Sequence, residues 1–203
     1  MKQNTRSLKN RGFAIASILL GAVGWFASFE LATEYMKKLK SPDYVPNCDF
    51  SILVACGPNM DSAQGSVLGF SNTLIGLFAF FAPIFVGFAL LAGAKFARWF
   101  WLVYIAGLAL GFYFVFWLAT QSVFVLGTLC PWCMVVWTVT IPLFIVTLLR
   151  SFAKGDAGGG SGIQRLANAL YSWSWVLILA CYLLIALLAQ IGVDWIGFML
   201  GSF

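Results

Sequence analysis

The sequence predicts an all-α integral membrane protein with five transmembrane helices. Four of them form a bundle core and the fifth lies at its periphery. Three observations carry that expectation. Apolar residues make up 62% of the 203-residue chain and charged residues only 9%, whereas about a quarter of residues are charged in ordinary soluble domains. The mean hydropathy is +0.93. Long uncharged runs divide the chain, the first of 18 residues and the others longer than the ~20 residues that cross a bilayer.

Gly12–Phe29 is the first run, and its helix is expected to continue past Glu30 toward Tyr35. It reads as a retained span, since its apolar stretch exceeds that of a signal peptide and no small-residue cleavage site follows cleanly. Ser62–Ala94 is the second run, with its apolar core starting near Val67. Trp99–Leu149 is 51 residues long. At about 1.5 Å per residue it would be roughly twice as long as the hydrocarbon layer is thick, so it folds back once. The reversal is expected at Thr120, Gln121 and Ser122, followed by Gly127 and Thr128. Leu166–Val193 is the last run. The expected helices are 12–35, 67–93, 98–121, 129–149 and 170–193. The Gly158–Gly162 run reads as a flexible linker. The domain reading is therefore a catalytic four-helix unit over 1–154, a linker over 155–165, and a fifth helix with a short tail over 166–203.

Orientation follows from the basic residues in short loops. Nine of the twelve fall on one side: Lys2, Arg6, Lys9, Arg11, Lys95, Arg98, Arg150, Lys154 and Arg165. Lys37, Lys38 and Lys40 fall on the other. The N-terminus is thus expected in the cytoplasm. The net charge of +5 is scattered in small clusters, which argues against a nucleic-acid partner. The chain has no histidine, which removes His-based acid–base chemistry and most mixed His/Cys metal sites.

Four of the five cysteines fall on the non-cytoplasmic side, where disulfides persist. Cys130-Pro131-Trp132-Cys133 opens the fourth span. A CxxC at a helix start closes a small, reducible disulfide, Pro131 fits the first turn, and the free N–H groups stabilise a thiolate. Cys133 lies about 4.5 Å deeper by helical rise. A second outward pair argues against reading Cys130 and Cys133 as inert packing residues. A four-Cys zinc site is disfavoured because Cys48 and Cys56 are eight apart, outside the usual ligand gap. Among the turn-forming residues Pro46, Asn47, Asp49, Gly57, Pro58 and Asn59, two readings of Cys48 and Cys56 stay open: a structural staple and a redox shuttle on a mobile loop. Cys181, in mid-span, reads as a packing residue.

These residues resemble the vitamin K epoxide reductase family in its bacterial form. The resemblance covers roughly residues 12–150. It rests on Cys48-x7-Cys56 in the first outer loop, then Ser71-Asn72-Thr73-Leu74-Ile75-Gly76 opening the second helix, then the CxxC opening the fourth. In the other quinone-linked disulfide-forming family, the DsbB type, the order of the two pairs is reversed. The resemblance implies that Cys130 and Cys133 are the active-site pair beside a quinone and that Cys48 and Cys56 are the shuttle pair. It implies that Asn72 hydrogen-bonds a quinone oxygen; read alone, Asn72 is better taken as a buried amide bonding a neighbouring helix. Ser62, six residues after Cys56, matches a family Ser or Thr only loosely. Trp137 stands where animal members have a quinone-contacting Tyr, so ring contact is kept and the hydroxyl is not.

The implied cofactor is a quinone (menaquinone, ubiquinone or a vitamin K type). The implied partner is a separate thioredoxin-fold, DsbA-like extracytoplasmic protein, since only about ten residues follow the fifth helix. The implied setting is the bacterial inner membrane. Two other functions remain open on sequence: quinone or quinone-epoxide reduction as the main role, and a transporter or assembly subunit with a stapled outer loop. Transport usually leaves ionisable residues inside the membrane, and Glu30 is the one candidate here.

Overall fold

The computed structural model describes residues 2–199, with side chains described for residues 11–197. The described residues form helices and turns without strands. The helices are α1 (Lys2–Lys40), α2 (Gly57–Asp61), α3 (Asn72–Ala79), α4 (Phe81–Leu91), α5 (Arg98–Gln121), α6 (Pro131–Lys154), α7 (Ser161–Ser172), α8 (Ser174–Val193) and α9 (Trp195–Met199). Five spans are long and apolar enough to cross a membrane: Arg11–Lys40, Asn72–Leu91, Arg98–Leu126, Pro131–Lys154 and Ser174–Val193. The protein is therefore a multi-pass membrane protein.

The second span starts later than expected and is broken. Residues 63–66 form a 3₁₀ turn, and Ser71 caps the helix that follows by accepting a hydrogen bond from the Thr73 N–H at 3.4 Å. The break falls at Phe80. Pro83 lies three residues further on. It has no N–H for the Ala79 carbonyl, and its ring crowds that same carbonyl, so α3 and α4 meet at a joint. The first span runs longer than expected, continuing through Lys40.

α6 is the central helix and packs against α1, α5, α7 and α8. α1 also packs along α3 and α4. The contact is made by small residues. Ala14, Ser17, Gly21, Gly24 and Ser28, spaced three and four apart, form one buried stripe on α1. Such stripes let membrane helices approach closely without help from the hydrophobic effect. A Cβ at Gly87 of α4 would lie 2.7 Å from the Ala14 carbonyl oxygen. α8 leans on α6 from outside and leaves Leu179, Leu183, Leu184, Leu187 and Ile191 exposed, the peripheral position expected of the fifth span.

The segment read as a flexible linker is built differently. Ala157 is 1% exposed, and its carbonyl accepts a hydrogen bond from Arg98 Nε at 3.1 Å. Asp156 pairs with Arg150 at 3.4 Å, and the Arg150 guanidinium lies 4.3 Å from the Phe13 ring centroid. A helix then begins at Ser161, inside the glycine run. Composition alone indicated freedom, whereas these contacts from α1, α5 and α6 hold the turn in place.

The stripe on α1 makes a stability prediction. Gly87→Ala forces its Cβ into the α1 backbone and destabilises the protein by about 1–3 kcal/mol. A Cβ at Gly107 meets open space, so Gly107→Ala leaves stability unchanged or raises it by up to about 1 kcal/mol. Thermal unfolding of the two variants in one detergent distinguishes them.

Candidate active site

Cys130 is the N-cap of α6. Its extended backbone turns the chain into the helix, and its Sγ accepts from the Cys133 N–H at 3.4 Å. Pro131 occupies the first turn, where no N–H is needed. The Trp132 ring meets Phe26 of α1 edge-on at 5.9 Å between centroids, anchoring the motif on the first span. The chain arrives from α5 through a π turn over Ser122–Leu126 and then Gly127, whose φ of 66° favours glycine.

The other pair is presented by the loop after α1. Cys48 and Cys56 form a disulfide, with Cα atoms 5.7 Å apart. Two carboxylates shape the loop. Asp49 Oδ1 accepts from the N–H groups of Cys56 at 2.6 Å and Gly57 at 3.0 Å, satisfying the free donors at the start of α2. Glu34, 3% exposed, accepts from Lys37 Nζ at 2.8 Å, from the Tyr44 hydroxyl at 2.9 Å and from the Asn47 N–H at 2.9 Å. It thereby ties the segment before Cys48 to α1. In the sequence Asp49 reads only as a turn residue and Glu34 has no role, because the Asp49 bonds to backbone N–H groups and the Glu34 bonds to Lys37, Tyr44 and Asn47 form only in the folded turn. The expected shuttle loop is thus held at both ends.

The two loops dock by main-chain bonds. Leu129 N–H donates to Leu53 O at 2.7 Å, and Ala55 N–H donates to Leu129 O at 3.2 Å. This brings Cys130 Sγ to 3.3 Å from Cys56 Sγ. Cys56 and Cys130 are both 0% exposed, beneath Leu31, Tyr35, Met60 and Trp132. The Cys130 thiol is held below its ordinary range by hydrogen bonding to the Cys133 thiol and to the N–H groups of Cys133 and Trp132, which outweigh its burial. A thiol stabilised as thiolate and set against a disulfide sulfur is the geometry of thiol–disulfide exchange.

Beside the sulfurs lies a cavity of about 510 Å³ bounded by α3, α4, α5 and α6. Cys56, Cys130 and Cys133 line it, as do Ser62, Asn72 and Trp137. None of its lining residues is charged. All the sequence-expected site residues except Cys48 therefore border one space, and Cys48 is joined to it through Cys56. Asn72 Nδ2 donates to Gln64 O at 2.6 Å and its Oδ1 accepts from the Val67 N–H at 3.2 Å, which leaves one amide hydrogen for another acceptor. The Ser62 hydroxyl spends its proton on Asn59 O at 2.8 Å and accepts from the Gly65 N–H at 3.0 Å, so it serves the turn. Trp137 is 4% exposed and packs with Val115, Val123 and Leu129. Cys181 lies on α8 outside the cavity, packed near Ile141 and Ile145.

The sequence model of the vitamin K epoxide reductase family matches residues 15–148. The chain belongs to that family. The match takes in both cysteine pairs, the α3 start and the whole cavity, and ends before the turn that leads to α7. No curated protein matches the chain. This vitamin K epoxide reductase family protein is a membrane redox protein, and its family is associated with quinones.

The Glu34 anchor can be tested directly. Glu34→Ala removes three bonds from the segment before Cys48. A hydrogen bond to a charged acceptor contributes about 1.5–3 kcal/mol, so reduction of the Cys48–Cys56 disulfide by a water-soluble phosphine accelerates by about tenfold or more. An unchanged rate shows that Glu34 does not hold the loop.

Proposed function

We propose that the protein is a membrane thiol oxidoreductase that carries electrons from a reduced thioredoxin-fold protein to a membrane quinone and so supports disulfide bond formation. The observation that carries this reading is the 3.3 Å separation of Cys56 Sγ and Cys130 Sγ. It makes the two pairs chemically continuous.

The partner's thiolate attacks Cys48 and releases Cys56 as a thiolate. A second partner thiolate then resolves that mixed disulfide, leaving Cys48 and Cys56 reduced and the partner oxidised. Cys56 attacks Cys130 of the oxidised CxxC pair. The Cys56–Cys130 bond forms, the Cys130–Cys133 bond breaks, and Cys133 leaves as a thiolate. Cys48 then attacks Cys56 and frees Cys130. The arrangement with Cys48–Cys56 bonded and Cys130 and Cys133 as thiols is the state in which two electrons have reached the inner pair. Direction is set by reduction potentials, about 30 mV corresponding to ~1.4 kcal/mol. Cys48 is 3% exposed, so partner access requires the segment tied to Glu34 to lift.

The cavity's residues fit a quinone. Its volume lies within the ~300–1,000 Å³ of small-molecule sites, and a mostly apolar lining with few polar groups suits a lipid-soluble ring. When bound there, a quinone supplies a two-electron, two-proton acceptor. Cys133 borders that space, Trp137 offers a flat apolar wall, and the spare Asn72 amide hydrogen stabilises a developing oxyanion. An uncharged lining speaks against ion transport, which usually leaves ionisable groups along its path. The excess of Lys and Arg on the loops between the second and third spans and the fourth and fifth supports a cytoplasmic N-terminus and an extracytoplasmic site, in a bacterial inner membrane. The partner is taken to be a separate, DsbA-like protein.

Cys133→Ala tests the assignment. Quinone reduction driven by a dithiol protein falls by at least about a thousandfold. In membranes without added reductant Cys130 attacks Cys56 of the outer disulfide and releases Cys48 as a thiolate, so that a Cys56–Cys130 adduct accumulates, read by mass spectrometry of disulfide-linked peptides. Normal turnover in that variant removes Cys133 from the path.

A further inference from the structure

We propose that Asn59 is the positioning residue that holds the shuttle cysteine against the CxxC pair. The inference rests on the relay reading above and adds the side chain that sets its geometry. Asn59 lies on α2, three residues after Cys56, and is half-buried. Both amide hydrogens and the amide oxygen are engaged. Oδ1 accepts from Ser122 Oγ at 2.5 Å, while Nδ2 donates to Thr128 Oγ1 at 3.1 Å and to Ala55 O at 3.4 Å.

These partners come from three places. Ser122 opens the π turn at the end of α5, Thr128 lies two residues before Cys130, and Ala55 immediately precedes Cys56. Ser122 and Thr128 are 3% and 7% exposed, so their bonds to Asn59 are shielded from water. The main-chain pair between Leu53, Ala55 and Leu129 ties the loops ahead of Cys56, and the Asn59 amide ties them behind it. Cys56 is thereby bracketed, and its sulfur is fixed over Cys130.

The geometry of the Cys48–Cys56 pair depends on a different set of bonds, those of Asp49 Oδ1 to the Cys56 and Gly57 N–H groups. Asn59 therefore acts on one exchange step. When Cys56 attacks Cys130 and displaces Cys133, the amide supplies the effective concentration of the attacking sulfur. It borders the cavity but makes its hydrogen bonds to Ala55, Thr128 and Ser122 and none to a cysteine sulfur.

The test measures that concentration without any turnover. In native membranes, one background carries Cys48→Ala, Cys133→Ala and Cys181→Ala, leaving Cys56 and Cys130. A second carries Cys130→Ala, Cys133→Ala and Cys181→Ala, leaving Cys48 and Cys56. Each is equilibrated in a glutathione redox buffer, alkylated, and quantified by mass spectrometry. Asn59→Leu removes bonds worth about 1 kcal/mol each and lowers the effective concentration of the Cys56–Cys130 pair by about 10–100-fold. That of the Cys48–Cys56 pair stays within about twofold. Ser122→Ala with Thr128→Val keeps Asn59 but removes its partners. It gives the same selective loss, about tenfold, and decides the matter should Asn59→Leu fail to accumulate. An unchanged Cys56–Cys130 pair overturns the proposal, as does an equal loss in both pairs, which is general loosening. If Cys56 and Cys130 fail to pair in the parent background, the relay falls and this inference falls with it. If they pair and ignore Asn59, only this inference falls.

Discussion

The contact between two buried sulfurs, Cys56 Sγ and Cys130 Sγ at 3.3 Å, is the constraint that the rest of the structure serves. Neither residue is near the other in sequence, and each sits in a segment with little secondary structure of its own. The chain solves this with polar bonds in place of a large packed core. Asp49 fixes the start of α2, Glu34 moors the loop to α1, and the Leu53–Leu129 pair joins the two loops. Burial then makes each bond worth more, because no water competes for the donors and acceptors.

Below the sulfurs the chain needs rigidity of another kind. Helices in a membrane gain little from hiding apolar surface, and α1 meets α4 through small residues that permit close van der Waals contact. α6 carries the CxxC motif at its N-terminus and packs against α1, α5, α7 and α8. The CxxC motif is therefore mounted on a helix supported from four sides. The space left between α4, α5 and α6 opens directly onto Cys133. Cys133 borders that space together with Cys56 and Cys130, and its place one turn into α6 sets it on the helix that walls the cavity.

Much of this was legible in the sequence, for reasons that can be named. The spans follow from hydropathy, because bilayer thickness fixes their length. The CxxC at a helix start follows from Pro131 and from local cap geometry, which depends only on neighbours in the chain. The shuttle role of Cys48 and Cys56 comes from resemblance, since the loop's own residues leave staple and shuttle equally open. The break at Phe80 was in principle readable from Pro83 and was hidden by an uninterrupted apolar run. Glu34, Asp49 and Asn59 carry no local signature. Glu34 looks like the outer end of a span, and Asn59 looks like one more turn residue beside Pro58. Two of the Asn59 partners lie 63 and 69 residues away, so its role appears only when the loops dock, and the Glu34 and Asp49 partners, within 13 residues, meet them only in the folded turn. The start of α7 was missed for a related reason: glycine content speaks of freedom, and the contacts of Arg98 and Arg150 that remove it come from other helices.

The most direct test of the relay is a quenched-flow experiment on the unaltered protein in native membranes, mixed with a reduced thioredoxin-fold protein and followed by acid quench and disulfide mapping. The account predicts that a Cys56–Cys130 linkage rises after the outer pair is reduced and decays before or together with quinone reduction. If the CxxC pair were reduced at full rate with that linkage never detectable above its dead-time limit, electrons would be bypassing the sulfur contact and the account would be contradicted.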